Sequence, residues 1–112
     1  MIMRMSRKLK EEEKALIKWM VKDTDKGDVI IKNLENYLVD EMDDGGMGSL
    51  HVVVNEDRIF GRELAKGDFS DIDGMPVFIS VDLDTNDDFY ELDVFKADFS
   101  ALKKFPDVPN KS

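Results

Sequence analysis

The 112-residue sequence contains no cysteine and only one histidine, and both scarcities limit its chemistry. Without cysteine the chain forms no disulfide framework and offers no thiolate. Zinc sites need several nitrogen or sulfur ligands, so we expect the lone His51 to be an ordinary strand residue. The G-x-S-x-G elbow, which presents the serine of many hydrolases, is absent as well. These absences favour a protein that is not an enzyme.

Long apolar runs are also missing. No segment approaches the roughly 18 apolar residues of a membrane-spanning helix, and the basic start, MIMRMSRKLK, lacks the apolar stretch of a signal peptide. We therefore expect a soluble, cytoplasmic protein without a membrane partner. The length predicts a single domain over residues 1–112, with flexible ends at residues 1–8 and 107–112. The sequence leaves the oligomeric state open.

Charge is abundant and mostly negative, with a formal net charge of −9. Residues 1–22 carry seven basic and three acidic side chains, whereas residues 23–112 carry nine basic and 22 acidic ones. Such an acidic body repels the phosphates of nucleic acids, which require a basic face. Opposite potentials speed association, so the composition favours a basic protein partner. Simple solubility is the alternative explanation of the charge.

Hydrophobic periodicity predicts an α+β fold. Residues 10–22 repeat apolar side chains at helical spacing and carry three glutamates in the first turn, where the helix dipole favours negative charge. Residues 29–35 fit a helical turn or the lead into a strand. Residues 99–105, FSALKKF, are at most a short terminal helix before the prolines. We expect the N-terminal helix to pack on one face of a sheet.

Two hairpins dominate the predicted sheet. The first joins residues 37–42 to the β-branched run SLHVVV across a glycine-rich connection. The second joins residues 77–84 to residues 89–98. Its first arm alternates Val77, Ile79, Val81 and Leu83 with Phe78, Ser80, Asp82 and Asp84, and its second arm alternates Tyr90, Leu92 and Val94 with Phe89, Glu91, Asp93 and Phe95. Arg58 to Ala65 is a candidate for a further strand, and residues 67–76 have the composition of a loop. The sheet is thus expected to have four or five strands, mainly antiparallel.

The most distinctive short segment is DDGGMGS, residues 43–49. Phosphate-binding loops place backbone N–H groups at a helix N-terminus, but these glycines precede a predicted strand, and the two aspartates would repel a phosphate. One interpretation is a tight turn in which the glycines supply positive φ angles. The other is a partner-binding tip with an apolar methionine contact. The residues of that tip would be Asp43, Asp44, Gly45, Gly46, Met47, Gly48 and Ser49.

A second segment, DLDTNDDFYELD at residues 82–93, is strongly acidic. Its spacing is similar to that of the EF-hand loop, which gives calcium roughly six to eight oxygen ligands. Asp87 stands where that loop requires glycine, and the flanking segments are predicted strands rather than helices. An acidic hairpin is the simpler interpretation, and calcium, the one cofactor considered, stays an alternative. The candidate metal ligands are Asp82, Asp84, Asn86, Asp88 and Asp93.

Two segments carry a family resemblance. EMDDGGMGSLHV at residues 41–52 and FYELDVFKADFSAL at residues 89–102 resemble the signature stretches of a small family of uncharacterised bacterial domains of about this length. The resemblance implies a single compact bacterial domain with two marked segments. Because the family has no established activity, no catalytic residues can be assigned from it. We hypothesise that the segments form one structural unit, in which Asp44 and Ser49 shape the turn and Lys96 and Asp98 hold it from across the sheet.

These observations give a leading hypothesis and two alternatives. The leading hypothesis is a non-enzymatic, acidic protein-binding domain, for example an immunity-type inhibitor that covers the phosphate-binding surface of a basic toxin such as a nuclease. The first alternative is a ligand- or calcium-binding regulatory domain that uses the 82–93 hairpin. The second is a small carboxylate-dependent enzyme with a site around Asp43, Asp44 and His51.

Overall fold

The computed structural model describes residues 6–108. These residues form two helices and one six-stranded antiparallel sheet. The predicted α+β class is confirmed, but the prediction of four or five strands is wrong. The elements are β1 Arg7–Lys8, α1 Glu11–Val21, α2 Gly27–Asn33, β2 Leu38–Glu41, β3 Leu50–Val52, β4 Phe60–Ser70, β5 Pro76–Asp84 and β6 Phe89–Lys96. The strand order is β1-β2-β3-β6-β5-β4.

The two ends that were predicted to be flexible lie partly outside the described residues, at 1–5 and 109–112. Within the described part, Arg7 pairs with Val39 and Lys8 pairs with Leu38, so these two residues add the sixth strand. A strand of two residues is too short to show a periodicity of its own. That is why the sequence did not reveal it.

The predicted N-terminal helix is confirmed as α1. Its buried Glu13 accepts a hydrogen bond from the Lys10 backbone N–H at 2.8 Å and forms an ion pair with Arg7 at 2.9 Å. This carboxylate therefore satisfies a backbone donor that the start of a helix leaves open. The segment at residues 29–35, which fitted either a helix or a strand, is mostly helical, because α2 ends at Asn33.

One hydrophobic core joins the helices to the sheet. Alternate side chains of β5 are at most 1% exposed, and they form a single buried cluster with residues of α1, α2 and the other long strands. Helix α1 contacts both β4 and β5, and the ring of its Trp19 meets Phe69 edge to face at 6.1 Å. The β5 residues of the core are Val77, Ile79, Val81 and Leu83.

Both predicted hairpins are confirmed, but at the start of the second strand of the second hairpin the residue on the core face of the sheet is not the predicted one. β2 pairs with β3 around the loop at residues 42–49, and β5 pairs with β6 around residues 85–88. The alternation in β6 had placed Tyr90 with the core residues, but Phe89 is buried instead. A register shift after Asp82 places Phe89 opposite Leu83, which moves its ring to the core face.

Two predictions about irregular segments are wrong. Residues 67–70 are not part of a loop, because β4 continues to Ser70 in register with β5. Residues 99–105 are not helical. Their backbone N–H groups have partners elsewhere, since Leu102 donates to the Gly46 carbonyl and Lys103 donates to the Asp71 carboxylate.

Candidate functional site

The side of the sheet that faces away from the core is open, and we call it the outer face. Its residues alternate along each strand with the buried core residues. Most of them are exposed or half-buried, and the exception is Asp82, which is 7% exposed. The outer face consists of Asp40, His51, Glu63, Lys66, Asp68, Phe78, Ser80, Asp82, Glu91, Asp93 and Phe95.

Three carboxylates of the outer face are aligned across three neighbouring strands. Glu63 on β4 lies directly opposite Asp82 on β5, and Asp82 lies directly opposite Glu91 on β6. We call these three residues the carboxylate row. The same line continues to His51 and then to Asp40 at the far side of the sheet.

The electrostatics of the row are unfavourable. The pKa of Asp82 is raised to about 6, because burial and the smaller repulsion from Asp93 and Glu63 outweigh a hydrogen bond from Ser80 that lowers it. Burial also raises the pKa of Glu91, with added repulsion from Asp93 and Asp82. Like charges that face each other across a sheet destabilise the pairing. The row therefore breaks a local rule of stability, as functional sites often do.

An exposed aromatic group adjoins the carboxylates. Phe78 and Phe95 are opposite one another on β5 and β6, with ring centroids 6.3 Å apart and planes 23° from parallel. Phe99 meets Phe95 edge to face at 5.1 Å. We call these three residues the aromatic shelf. Phe99 is 70% exposed and has a φ of +64°, which is unfavourable for a bulky residue.

A shallow groove connects the aromatic shelf to the acidic residues. It has a volume of about 270 Å³ and passes over Ser80. Asp93 and Phe95 border it from β6, while Glu63 and Asp68 border it from β4. Acidic oxygens and aromatic rings thus face the same small space.

The glycine-rich segment is a structured loop. The Asp44 carboxylate accepts hydrogen bonds from the backbone N–H groups of Met47 and Ser49, both at 3.0 Å. The φ angles of Gly45, Gly46 and Gly48 are +75°, +84° and +107°, which confirms the predicted positive values. Asp43 is exposed at the start of the loop. The role of the segment as a partner-binding tip stays a prediction.

Side chains of this loop reach strand β6. The buried Ser49 hydroxyl accepts a hydrogen bond from the Val94 N–H at 2.8 Å and donates one to the Val94 carbonyl at 3.1 Å. The Met47 sulfur accepts the N–H of Lys96 at 3.3 Å. These contacts support the hypothesis that the two distinctive segments form one structural unit.

The Lys96 side chain has a different role from the one we expected. Its ammonium is fully buried and lies 2.8 Å from both Asp71 and Asp73, in the turn between β4 and β5. It also donates to the Ala101 carbonyl at 3.2 Å. The two aspartates raise the pKa of Lys96. Asp98 does not reach the glycine loop by any described contact and accepts hydrogen bonds from Ser100.

Asp71 completes this buried cluster. Burial by itself would raise its pKa, but hydrogen bonds from the Lys103 N–H and from the Lys96 ammonium hold the pKa well below its ordinary value. The N–H groups of Ile72 and Lys104 contribute in the same direction. The charged groups of this cluster are bound by other groups of the protein. The cluster therefore serves as a structural link between β6, the β4–β5 turn and the C-terminal segment.

One candidate calcium ligand of the 82–93 hairpin, Asp84, already binds other groups of the protein. Asp84 accepts backbone N–H groups from Asn86 and Asp88 at 2.8 and 3.0 Å, and its second oxygen lies 3.2 Å from Arg58. Asp87 has the positive φ, +65°, that the glycine of a calcium loop would supply. Within residues 6–108, no group of three acidic or histidine side chains is arranged to hold a metal ion.

His51 lies in β3, as the sequence predicted. Its ring meets Tyr90 edge to face at 5.4 Å, and its register neighbours are Asp40 and Glu91. Of the two loop aspartates that we had grouped with His51, Asp44 is bound elsewhere, because its carboxylate accepts hydrogen bonds from backbone N–H groups of its own loop. Among the carboxylates of the outer face, Asp82 is the buried one, and its pKa is raised to about 6.

Sequence reasoning missed most of the outer-face site. The predicted alternation had already placed Phe78, Ser80 and Asp82 on one side of the second hairpin, and Glu91, Asp93 and Phe95 on one side of its other arm. Pairing the two arms would have brought the carboxylates and the phenylalanines together. Glu63 and Phe99 gave no such signal, because β4 contains register shifts and Phe99 follows the last strand.

The fold and the outer face define an α+β domain with an open, acidic sheet surface. The chain belongs to the family described as Domain of unknown function (DUF6984), whose model matches residues 6–106. A search of curated proteins gave no match, and neither did a search of solved structures. Neither described helix is long and apolar enough to cross a membrane.

Proposed function

We propose that this protein is a non-enzymatic, acidic protein-binding domain whose partner is a basic protein. The observation that carries the proposal is the carboxylate row of Glu63, Asp82 and Glu91 on an open sheet face. Three like charges in one line lower the stability of the folded chain. A basic partner removes that cost when it binds, because its cations neutralise the repulsion between the carboxylates.

The composition of the outer face also suits a protein partner. Protein–protein interfaces combine apolar anchors with a polar rim. Here the exposed Phe78 and Phe99 supply apolar contact area beside the acidic residues. In its most concrete form, the proposal is a bacterial immunity-type inhibitor that places this acidic face over the phosphate-binding surface of a toxin such as a nuclease.

The test is affinity capture from a lysate of the organism that encodes the protein, with a matched pair of double variants. Glu63→Lys/Glu91→Lys reverses two charges beside Asp82. Glu56→Lys/Asp57→Lys makes the same change in net charge in an exposed loop. The outer-face variant replaces repulsion with attraction around Asp82, so it should not lose stability. A failure to bind would therefore not be caused by unfolding.

The proposal predicts that the wild-type chain and the loop variant capture one basic protein in stoichiometric amount. The outer-face variant should capture much less, and the wild-type yield should fall between about 50 mM and about 300 mM NaCl because salt screens the attraction. Equal capture by both variants, or capture that salt does not change, would contradict the proposal. For the immunity-type form, the purified partner must also lose its enzymatic activity at equimolar inhibitor.

A further inference from the structure

The groove over Ser80 has the chemistry of a site for one particular side chain. Resting on the proposed function, we infer that this groove accepts an arginine of the basic partner. Carboxylates of Glu63, Asp68 and Asp93 border the groove, and the rings of Phe78 and Phe95 line it at one end. The groove, of about 270 Å³, is large enough for a single extended side chain and is open to solvent.

Arginine fits this set of groups better than lysine does. Its planar guanidinium stacks on aromatic rings and also presents several N–H donors in a fork that matches carboxylates. Lysine offers a compact, strongly hydrated charge that gains less from an aromatic surface. A site that combines Phe95 with Asp93 on the same face of β6 therefore favours arginine. A purely acidic surface would accept both cations alike.

Phe99 extends the aromatic surface of the site. Its ring packs on Phe95 and not in the core, and it remains 70% exposed. Asparagine is among the residues that best tolerate a positive φ, whereas phenylalanine occupies this position at φ +64°. The aromatic ring is thus kept at a place where folding favours another residue. Stacking on a partner's guanidinium gives the ring a function there.

Lys66 is the basic residue of the outer face. It lies directly opposite Ser80 and borders the groove. Because Lys66 borders the same groove as the carboxylates that would receive the partner's arginine, its positive charge opposes the incoming cation. Lys66→Ala should therefore strengthen binding, although the substitution removes a possible contact.

The probes are two short capped peptides that differ only in carrying arginine or lysine. Each is titrated into the isotopically labelled full chain at about 50 mM NaCl, where charge attraction is weakly screened. Backbone amide shifts locate the site and give the dissociation constant. The arginine peptide should bind about fivefold more tightly than the lysine peptide. Its largest shifts should fall on Ser80, Asp93 and Phe95.

Variants separate the arginine site from general acidity. Phe99→Asn should reduce the affinity for the arginine peptide to that for the lysine peptide, and it should leave the lysine peptide unaffected. Phe95→Leu should do the same, with its fold checked by thermal melting. Val29→Ala on α2, which removes an exposed apolar group from the helical side, is the control and should change neither affinity.

Three results would overturn the inference. They are equal affinities for the two peptides, shifts spread over the acidic surface without a maximum at the groove, and no binding of either peptide. Each of these leaves the proposed function to its own test, because a basic protein captured through the carboxylate row needs no arginine in the groove. If no basic protein is captured from the lysate but the groove still prefers the arginine peptide, the proposed function alone is rejected.

Discussion

Asp82 and Glu91 lie directly opposite each other on neighbouring strands, although both are acidic. Opposite positions in an antiparallel pair bring side chains closer than any other arrangement in a sheet. A neutral or basic residue at either position would make the sheet more stable. Natural sequences keep destabilising residues where function requires them. The Asp82–Glu91 pair is therefore the main support for the proposed binding role of the outer face.

Asp82→Asn should raise the free energy of unfolding at neutral pH. The pKa of Asp82 is about 6 in the folded chain and 3.8 is its ordinary value. Because the pKa of Asp82 is higher in the folded chain than in the unfolded chain, protonation of Asp82 stabilises the folded chain. This stabilisation is fully present below about pH 4 and is lost as the pH rises through about 6. The advantage of the variant should therefore grow over this interval, by about 1 to 3 kcal/mol.

Urea unfolding of both chains at several pH values measures this difference. Taking the difference cancels the pH dependence that the two chains share, including that of Asp71. Asp93→Asn, at an exposed position on the same face, should show a smaller change. A stability difference between Asp82→Asn and wild type that stays constant from about pH 4 to about pH 7 would contradict the assigned pKa.

Lys96→Ala should strongly destabilise the chain. The substitution removes a buried ammonium that lies 2.8 Å from two carboxylates and leaves Asp71 buried without its cation. Breaking a buried pair by removing one partner costs about 3 to 5 kcal/mol. The amide shifts of the glycine loop should move as well, since the Lys96 N–H contacts Met47.

Chemical denaturation and a two-dimensional amide spectrum test both effects of Lys96→Ala. Lys104→Ala, which removes an exposed lysine whose ion pair is on the surface, is the matched control and should cost less than about 1 kcal/mol. Unchanged stability together with unchanged loop shifts would reject the hypothesis that the two distinctive segments are one structural unit.

Ser49→Ala should destabilise the chain by about 2 kcal/mol, because it leaves both backbone polar groups of Val94 without the hydroxyl that now binds them. The loss should be greatest for the protection of β6 amides near Val94. Hydrogen exchange measures that protection residue by residue. Ser100→Ala, at an exposed serine whose bonds are local, serves for comparison. Equal losses of stability and of amide protection in the two variants would contradict a stabilising role for the hydrogen bonds between the Ser49 hydroxyl and the Val94 backbone.

Calcium at millimolar concentration should leave the melting temperature unchanged. A ligand that binds only the folded state raises stability by mass action, but the Asp84 oxygens already bind two N–H groups and Arg58. Calcium would have to displace these partners. Thermal melts with calcium and with an equal ionic strength of sodium chloride make the comparison. A calcium-specific rise would revive the regulatory alternative for the 82–93 hairpin.

Patterns that depend only on local spacing predicted the elements well. The alternation in residues 77–84 identified β5, and the helical spacing of residues 10–22 identified α1. Strand β4 was harder, because Gly67 and Asp68 have low strand propensity and only pairing with β5 keeps them extended. The C-terminal segment was predicted wrongly, since Asp71 and Gly46 take the N–H groups that a helix would use.

The site was less predictable than the fold, for a physical reason. Which residues face each other depends on the register of the sheet, and register shifts occur on both sides of Glu63 and after Asp82. A shift of one residue moves a side chain to the other face. The sequence therefore showed that the hairpin is acidic, but it did not show that Glu63, Asp82 and Glu91 form one line.

The most direct test of the account is an amide-shift map of the labelled domain with its captured partner. At low salt, the account predicts that the amides that shift or broaden lie on the outer face, around Glu63, Ser80 and Asp93, with little change in α1 and α2. Changes confined to the glycine loop at residues 43–49 or to the helices, with an unaffected outer face, would contradict it.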